Sequence, residues 1–423
     1  MKQASEALAI RVALENLARN AGYPDPVRLT WAMETKQVQN ILSKETEVVL
    51  DDVTISLVIN NEGKADLVTY KAGKELKSIP PKYKKDKGIL ELTNYRKTMR
   101  EQWTRSRKGL EESMIRGDEF LFAEMQNLFE HPIISKHLEK LVFISNDNQI
   151  GFYVDGSLVT GLGEMISLNE KQTFRIAHCF DLHKSNVWVD YQKYCFDNKL
   201  QQPFKQIFRE LYVPTPDELK EKSVSRRYAG HQVQPNQTLA LLKTRGWKVD
   251  YEEGLQKVFH KEGYQVKMYA MADWFSPADV ESPTLETIEF HSLKDYKNIA
   301  FEDVNPRIFS EVMRDIDLVV SVAHVGGVDP EASHSSIEMR AVLLRETLRL
   351  FKIKNVEITG NHAIIKGQLA EYSVHLGSAV VHQMPGKYLS ILPIHSQHRG
   401  RLFLPFADDD PKSAEVMSKV LLF

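Results

Sequence analysis

Helices are predicted wherever apolar residues recur every three or four positions, the spacing that lines one face of a helix. The pattern begins at residues 1–42, where Gly-Tyr-Pro-Asp-Pro (22–26) separates two helices. A longer helical region follows at 93–129. Further helices are predicted before Thr-Arg-Gly-Trp (244–247), from Pro306 into an apolar strand at 318–322, at 335–351, and from Pro411 onward.

Strands are predicted where apolar and polar residues alternate. Residues 47–76 alternate on both sides of a turn at 60–63, which predicts a β-hairpin or a small meander. Three more strand-rich regions lie at 131–162, 256–295 and 354–406. Strand blocks alternate with helix blocks without a regular β-α-β rhythm. The sequence therefore predicts a multidomain α+β fold with mixed or antiparallel sheets and packed helices.

The length of the chain adds an expectation about domains. A chain of 423 residues is too long for one ordinary hydrophobic core, so two or three domains are expected. Residues 1–140 would form an N-terminal region of helices around a strand meander, and residues 141–300 a central α+β domain. Residues 301–423 would form a C-terminal α+β domain that is rich in histidine, with seven of the 14 histidines of the chain.

Composition narrows the class and the compartment. The net charge is −2, which excludes a globally basic nucleic-acid binder but not a local basic patch. Only Cys179 and Cys195 occur, which predicts a reducing compartment without a disulfide scaffold or a thiolate zinc site. The sequence shows neither a signal peptide nor an apolar run long enough to span a membrane. A cytoplasmic protein without a membrane segment is expected, and no cofactor is required by the sequence.

The first candidate site lies in Ala-Glu-Tyr-Ser-Val-His-Leu-Gly-Ser (370–378), within a predicted buried strand. Strand alternation alone would put His375 and Ser378 on opposite faces. A bulge or turn at Gly377 would bring them to the same face. His375 could then act as a general base or as a donor to developing negative charge. The alternative is a histidine that is hydrogen-bonded inside the core.

The second candidate follows the predicted strand at 318–322. His324, Gly326 and Gly327 precede a helix that opens near Ser333, an arrangement that can offer backbone N–H groups and a helix dipole to an anion. No P-loop or dinucleotide-binding pattern is present. The alternative is an ordinary connection in which Ser333 or Ser335 caps the helix, with Glu338 in the capping-box position.

The third candidate is the histidine- and arginine-containing stretch near the end of the chain. His398 and Arg399 could bind a phosphate or a carboxylate. The three aspartates at 408–410 could hold magnesium together with substrate phosphates. They also precede Pro411, as the acidic cap of a helix would. The sequence leaves the presence of a metal open.

The fourth candidate is a polar loop with Arg226, Arg227 and His231 around Gly230. Together with Arg245 these side chains could form an anion pocket. The alternative is structural: the arginine pair would tie two domains together through acids such as Glu210.

The segment from Lys71 to Lys108 is locally basic, and Tyr83, Tyr95 and Trp103 are interspersed among its cations. This mixture can hold nucleotides or single-stranded nucleic acid through phosphate contacts and base stacking. The alternative is a basic, solvated helix face without a ligand.

Several phrases of the sequence resemble one family. The matching landmarks are Ala177–His178, Gln202–Pro203–Phe204, Arg209–Glu210, Tyr212, Arg227, Ala229–Gly230–His231 and Arg245–Gly246–Trp247. They are similar to the MolR-like family of bacterial proteins, also described as domain of unknown function 4132. The stretches at 309–340 and 375–422 resemble the C-terminal end of some members.

This resemblance implies little about function, because the family is named after a regulator and has no established chemistry. Its members are usually longer, with helical N-terminal regions and sometimes a WGR domain. The chain therefore resembles the C-terminal part of such a protein, and partner proteins or additional N-terminal domains are expected.

Two functions remain open at this point. The first is a regulatory or ligand- and partner-binding module of a larger assembly. The second is a nucleotide- or nucleic-acid-directed transferase or hydrolase, with a site where His324, the Gly326–Gly327 turn, His375 and Ser378 converge. ADP-ribosyl transfer is one form of the second, because Val-His-Leu-Gly-Ser loosely resembles the His-Gly-Ser strand of that fold. The sequence does not decide whether the protein is an enzyme.

Overall fold

The computed structural model describes residues 2–250, 254–270, 274, 282–326, 332–391 and 402–423. Over these ranges the chain forms twelve α-helices and twenty strands, and the strands make four antiparallel sheets. The predicted multidomain α+β class is confirmed. The chain divides into two compact units: an N-terminal unit of Met1–Ala177 with Gln202–Phe204, and a C-terminal unit of His178–Gln201 with Lys205–Phe423. The division into three domains stays a prediction.

The N-terminal unit begins with the two predicted helices and the predicted meander. Asp25 caps the second helix by accepting a hydrogen bond from the N–H of Arg28. The elements are α1 (Lys2–Asn20), α2 (Pro26–Leu42), β1 (Glu47–Leu50), β2 (Val53–Ile59), β3 (Ala65–Lys71), β4 (Lys74–Leu76), a 3₁₀ turn (Pro81–Tyr83) and α3 (Lys87–Arg116). The sheet order is β1-β2-β3-β4, and buried side chains of β2 pack with Leu92 and Met99 of α3. Gly117 ends α3 in the left-handed conformation, which suits a residue without a side chain.

A second sheet completes this unit and packs against the far half of α3. Leu110 and Met114 of α3 lie in one buried cluster with Phe143 and Phe174. The sheet order is β5-β10-β6-β7-β8-β9. Its elements are β5 (Phe120–Leu121), α4 (Phe122–Phe129), α5 (Ile134–Leu138), β6 (Val142–Ser145), β7 (Ile150–Val154), β8 (Ser157–Val159), β9 (Met165–Ser167) and β10 (Thr173–Ile176).

The C-terminal unit contains the third sheet, which is the predicted meander of 256–295 with two flanking strands. Its order is β11-β15-β14-β13-β12. Phe290 of the sheet stacks with Phe309 of the long helix α10, with 6.3 Å between ring centroids. The elements are α6 (Cys179–Lys184), α7 (Trp188–Asp197), α8 (Pro216–Glu221), β11 (Val224–Ser225), α9 (Pro235–Lys243), β12 (Lys248–Asp250), β13 (Gly254–Phe259), β14 (Tyr264–Ala270), β15 (Leu285–Ser292), a 3₁₀ turn (Phe301–Asp303) and α10 (Pro306–Ala323).

The fourth sheet carries the first candidate site, and side chains of the helices before and after it contact its third strand or the turn that follows. Tyr372 of the sheet stacks on Phe423 at the end of the last helix, with 4.0 Å between ring centroids. The sheet order is β16-β17-β18-β19-β20. The elements are α11 (His334–Leu350), β16 (Val356–Thr359), β17 (His362–Lys366), β18 (Glu371–His375), β19 (Val381–Gln383), β20 (Lys387–Leu389) and α12 (Pro411–Leu422).

The prediction for the apolar run 318–322 is wrong. The apolar run 318–322 was expected to be a strand, but it forms the last turns of α10. The buried positions of α10 include Ile308, Val312, Ile316, Val319 and Val320, which keep the helical spacing to the end of the run. A short apolar run has no periodicity of its own, and here the longer helical pattern determines its structure.

None of the described helices is both long enough and apolar enough to cross a lipid bilayer. Cys179 and Cys195 are both buried free thiols.

Candidate functional site

A turn after β18 brings His375 and Ser378 together. The strand ends at His375, and the turn includes Gly377, the position at which a bulge or turn was considered from the sequence. The Nδ1 atom of His375 lies 3.0 Å from the Oγ atom of Ser378 and accepts a hydrogen bond from its backbone N–H at 3.1 Å. An imidazole nitrogen that accepts an N–H carries no proton, so the neutral ring holds its proton on Nε2.

Two cationic side chains from helices α11 and α12 hold the backbone of this turn. Arg340 of α11 donates from Nη1 to two carbonyls of the turn at 3.0 and 2.8 Å. Lys419 of α12 donates to a third carbonyl at 2.9 Å. His375 and Ser378 thus belong to a turn that is fixed from both sides, which gives them a structural role independent of any reaction. Their catalytic role stays a prediction.

Replacing Ser378 with alanine should lower the free energy of unfolding by about 1 kcal/mol, because the hydroxyl's hydrogen bond with His375 is lost. His375→Ala should cost more, about 1–3 kcal/mol, because the backbone N–H of Ser378 also loses its acceptor. Urea unfolding would measure both changes, with Ser390→Ala, at an exposed position, as the control. A larger loss for Ser378→Ala than for His375→Ala would contradict this account of the turn.

His324 lies at the C-terminal end of α10 and pairs with the segment before α9. It forms a β-bridge with Val233, and the N–H of the next residue donates to the carbonyl of Gln232 at 2.9 Å. Gly326 has a positive φ of 142°, and Gly327 lies outside the described residues. A joint site of His324 and His375 stays a prediction.

The helix after this connection is capped by Ser333, as one alternative predicted, but Glu338 is not in the capping-box position, because the third residue of the helix is Ser336. Ser333 caps α11 by accepting a hydrogen bond from the N–H of Ser336. The Oγ atom of Ser335 instead donates to the carbonyl of Leu211 at 2.6 Å. Because 318–322 is helical, the predicted strand, glycine turn and helix of an anion site are not present in that form.

Arg227 has a structural partner, but not the predicted one. Its Nη2 and Nε atoms donate to the two carboxylate oxygens of Glu218 at 2.5 and 3.1 Å. Nη2 also donates to the carbonyl of Val213 at 2.7 Å. The prediction that Glu210 would be the partner of Arg227 was wrong, because Glu218 on α8 lies nearer in the chain and accepts the hydrogen bonds of this arginine. A bidentate pair of this kind fixes the loop that follows α8.

The other cations of this loop have different surroundings. Arg226 is exposed and His231 is half-buried. Arg245 lies 3.3 Å from the carboxylate of Asp315, which also accepts hydrogen bonds from the side chains of Trp247 and Lys257 at 2.8 and 2.9 Å. Arg227 and Arg245 are therefore paired with separate acids. An anion-binding role for Arg226, Arg227 and His231 stays a prediction.

The aspartates before α12 have protein partners. Asp410 caps the helix by accepting hydrogen bonds from the N–H and Oγ of Ser413. Asp408 accepts a hydrogen bond from the N–H of Lys205 at 2.8 Å. Within the described ranges no group of three or more histidine, cysteine or acidic side chains is placed to hold a metal ion. His398 and Arg399 lie outside those ranges.

A buried charge network that sequence reasoning missed lies in the C-terminal unit. Arg209 donates from Nε and Nη2 to the two carboxylate oxygens of Glu311 at 2.6 and 2.7 Å, and both side chains are almost fully buried. His178 adds a third hydrogen bond to Glu311 at 2.8 Å. The Nδ1 atom of His178 accepts the N–H of Phe180, so the ring donates to Glu311 from Nε2 as a neutral imidazole.

The protonation of this network follows from its burial and its partners. Burial raises the pKa of Glu311, but the Arg209 guanidinium and the hydrogen bonds outweigh it and hold the pKa well below its ordinary value. Burial lowers the pKa of His178, although Glu311 opposes that effect. Arg209 and His178 were both landmarks of the family resemblance. The available signal was the pair of charged residues, Arg209 and Glu210, between apolar residues at 207–212.

A second network connects the same segment to α12. Lys205 donates to Glu210 and Asp410 at 2.6 and 2.7 Å, and Arg314 donates to Glu210 at 2.9 Å. Burial raises the pKa of Glu210, but Lys205 and Arg314 lower it more, so the carboxylate stays charged. These groups neutralise each other inside the unit and have a structural role.

The basic segment is exposed at one end of the first sheet. Lys71 and Lys74 are directly paired across β3 and β4, and the turn beside them adjoins the β1–β2 turn. Seven lysines of this cluster are exposed: Lys71, Lys74, Lys77, Lys82, Lys84, Lys85 and Lys87. Lys71 and Lys82 pair with Asp52 and Asp51. Within the described parts of the chain, no carboxylate forms an ion pair with the other five.

Cationic side chains continue along the exposed face of α3. A surface cleft of about 600 Å³ is lined by side chains of this helix alone: Thr93, Arg96, Lys97, Arg100, Glu101, Thr104 and Arg105. Arg100 pairs with Asp66 at 3.2 Å and Arg105 with Glu34 at 2.8 Å. Lys97 is exposed. The lysine cluster and the exposed face of α3 meet at Lys87, the first residue of the helix.

Three family models match separate parts of the chain. Residues 73–247 match the model described as domain of unknown function (DUF4132), which confirms that part of the predicted resemblance. Residues 337–423 match domain of unknown function (DUF7737), and residues 1–33 match family of unknown function (DUF5724). The C-terminal end thus matches a different model from the one expected. No curated protein and no solved structure is significantly similar to the chain.

Proposed function

We propose that this chain is a binding module of a MolR-like, cytoplasmic bacterial protein, and that it binds nucleic acid through the segment from Lys71 to Lys108. The module would act within a larger assembly, as a regulatory or C-terminal part of it. The observation that carries this proposal is the density of exposed cations on that segment.

The charge of the segment differs from that of the whole chain. Between Lys71 and Lys108 there are 13 lysine and arginine residues and four acidic ones, while the whole chain has a net charge of −2. Five of the seven exposed lysines have no carboxylate counter-charge among the described residues, and they lie together at one end of a sheet. A cluster of cations attracts a nucleic acid mainly through the negative charges of its phosphate groups.

Several polar groups elsewhere in the chain form hydrogen bonds within the protein. The carboxylates of Glu218, Glu311 and Asp315 each accept hydrogen bonds from cationic side chains of the protein. His375 and Ser378 organise a turn. These polar groups stabilise the fold, whereas the cations of the basic segment face solvent.

The proposal predicts that the chain binds a labelled oligonucleotide and that removing lysine charges weakens the binding. Lys84→Gln, Lys85→Gln and Lys87→Gln together should reduce the affinity at low salt by about tenfold or more, because three phosphate contacts are lost. Fluorescence anisotropy at about 50 and 200 mM salt would measure the affinity and its salt dependence.

The matched control is a triple variant with the same loss of charge at exposed lysines elsewhere, namely Lys220→Gln, Lys243→Gln and Lys354→Gln. This control should bind like the unchanged chain. Equal weakening in both triple variants would show that net charge alone matters. No binding by the unchanged chain at low salt would overturn the proposal.

A second candidate function rests on the 3.0 Å distance between His375 Nδ1 and Ser378 Oγ. In this reading the serine oxygen attacks a phosphorus atom of a nucleotide or nucleic-acid substrate while the imidazole takes the serine proton. The bond from that phosphorus to its leaving oxygen breaks, and the proton passes from the imidazole to the leaving oxygen, as in a transferase or hydrolase. Incubation with NAD, nucleoside triphosphates and oligonucleotides would test it. A product that forms with the unchanged chain, but not with the folded Ser378→Ala variant, would favour this function over the binding module.

A further inference from the structure

We infer that the nucleic acid bound by the basic segment is a duplex, held by its phosphate backbone without base stacking and without sequence preference. This inference rests on the proposed function and names the ligand class of the same surface. Three features of the surface lead to this inference. Its aromatic rings make contacts within the protein, its cations are spaced along a helix, and two of its hydroxyl groups bond to the helix backbone.

The aromatic rings of the segment are occupied within the protein. Tyr83 is buried, and its hydroxyl donates to Asp51 at 2.6 Å. The indole N–H of Trp103 donates to the carbonyl of Glu62 at 2.8 Å, and its ring lies 5.0 Å from the ring of His137.

The remaining aromatic ring of the segment, Tyr95, is also engaged. Its hydroxyl bonds to Glu91 and accepts a hydrogen bond from Lys44 at 3.1 Å, and the ammonium of Lys44 lies 5.3 Å from the ring centroid. Proteins that hold single strands stack successive bases on accessible aromatic faces. The rings of Tyr83, Tyr95 and Trp103 are engaged within the protein instead, so the segment from Lys71 to Lys108 has no free aromatic ring on which a base could stack.

The cations lie along a rigid line. Lys87, Lys97 and Lys108 are exposed on α3, and the lysine cluster extends this line beyond the start of the helix. At 1.5 Å per residue, Lys87 and Lys108 are about 31 Å apart along the axis. One turn of duplex DNA is about 34 Å long, so a straight duplex can keep its phosphates beside this line of cations. A duplex also carries twice as many charges per unit length as a single strand.

Two threonine hydroxyls beside these cations donate their hydrogen bonds to the protein backbone and not to a base edge. Thr93 donates its hydroxyl to the carbonyl of Ile89 at 2.7 Å, and Thr104 donates to the carbonyl of Arg100 at 3.0 Å. Both hydroxyls thus bond within the helix. Phosphate contacts from lysine and arginine fix position but carry no sequence information.

The test compares a labelled duplex of about two helical turns, ~20 base pairs, with one of its own strands and with a duplex of unrelated sequence. The two duplexes should bind equally, and the single strand about tenfold more weakly at low salt. The Lys84, Lys85 and Lys87 triple glutamine variant should lower the slope of log affinity against log salt for the duplex by about 3.

Tyr70 provides a control for stacking, because it is exposed on β3 beside Lys71. Tyr70→Ala should leave the affinity for both ligands unchanged, whereas the loss of a stacked base would weaken binding about tenfold. Tighter binding of the single strand, or a tenfold loss in Tyr70→Ala, would overturn this inference while leaving nucleic-acid binding itself intact. Binding of anionic lipid vesicles but of neither nucleic acid would instead overturn both the inference and the proposed function.

Discussion

Replacing Arg209 with methionine should lower the free energy of unfolding of the C-terminal unit by about 3–5 kcal/mol, the usual cost of removing one partner from a buried ion pair. Arg209 and Glu311 are only 1% and 2% exposed. Methionine retains most of the apolar stem of arginine, so the main change is the loss of the charge that neutralises Glu311. Urea unfolding followed by tryptophan fluorescence would measure the change.

Two further variants separate the unpaired charge from lost packing. The double variant Arg209→Met with Glu311→Leu leaves no buried charge and should recover most of the lost stability. Arg11→Met removes one partner of an exposed pair with Glu15 and should change stability by less than about 1 kcal/mol. If the double variant is as unstable as the single one, packing rather than the carboxylate accounts for the loss.

The same pair predicts how this loss depends on pH. The folded pKa of Glu311 is depressed, so the stability it contributes is complete above the ordinary pKa of the carboxyl, about 4.3, and is lost as pH falls through the folded pKa. In Arg209→Met the buried carboxyl can be protonated more easily. The difference between the two proteins should therefore be smaller at about pH 4 than at about pH 7.

Replacing Lys205 with methionine should lower the free energy of unfolding by about 3 kcal/mol, at the lower end of the cost of breaking a buried ion pair. The cost is smaller than for Arg209 because Arg314 continues to neutralise Glu210. The change also removes a partner of Asp410, the cap of α12. Amide hydrogen exchange should therefore become faster in α12 than in the other described helices of the C-terminal unit.

A control for the Lys205→Met variant is available on α12. Lys412→Met removes the same charge from a partly exposed pair with Glu415, and it should change stability by less than about 1 kcal/mol without faster exchange in α12. If exchange in α12 rises equally in both variants, the link from Lys205 to Asp410 does not stabilise the helix.

Local patterns in the sequence predict most elements of the fold. The two helices before residue 43, the meander at 47–76, the helix at 335–351 and the helix from Pro411 follow their predicted patterns closely. The failure at 318–322 has a physical cause. The helical pattern of the preceding residues continues through an apolar run that would suit a buried strand by itself.

The candidate site was partly predictable. A turn at Gly377 could be expected because alternation otherwise separates His375 and Ser378. Arg340 and Lys419, which hold this turn, could not be expected, because they lie 36 and 40 residues from the carbonyls they bond. Hydrogen bonds between residues that are far apart in the same chain leave no pattern in a single sequence.

The sequence by itself determined the periodic helices and strands, the α+β class and the excess of cations between Lys71 and Lys108. These properties depend on residues that are close in the chain or simply on their number. The tertiary structure alone decided which charges are buried and paired. Arg209 and Glu311 are 102 positions apart, and their pairing depends on how α10 packs within its unit. The tertiary structure also decided that the aromatic rings of the basic segment make contacts within the protein, while its lysines are exposed.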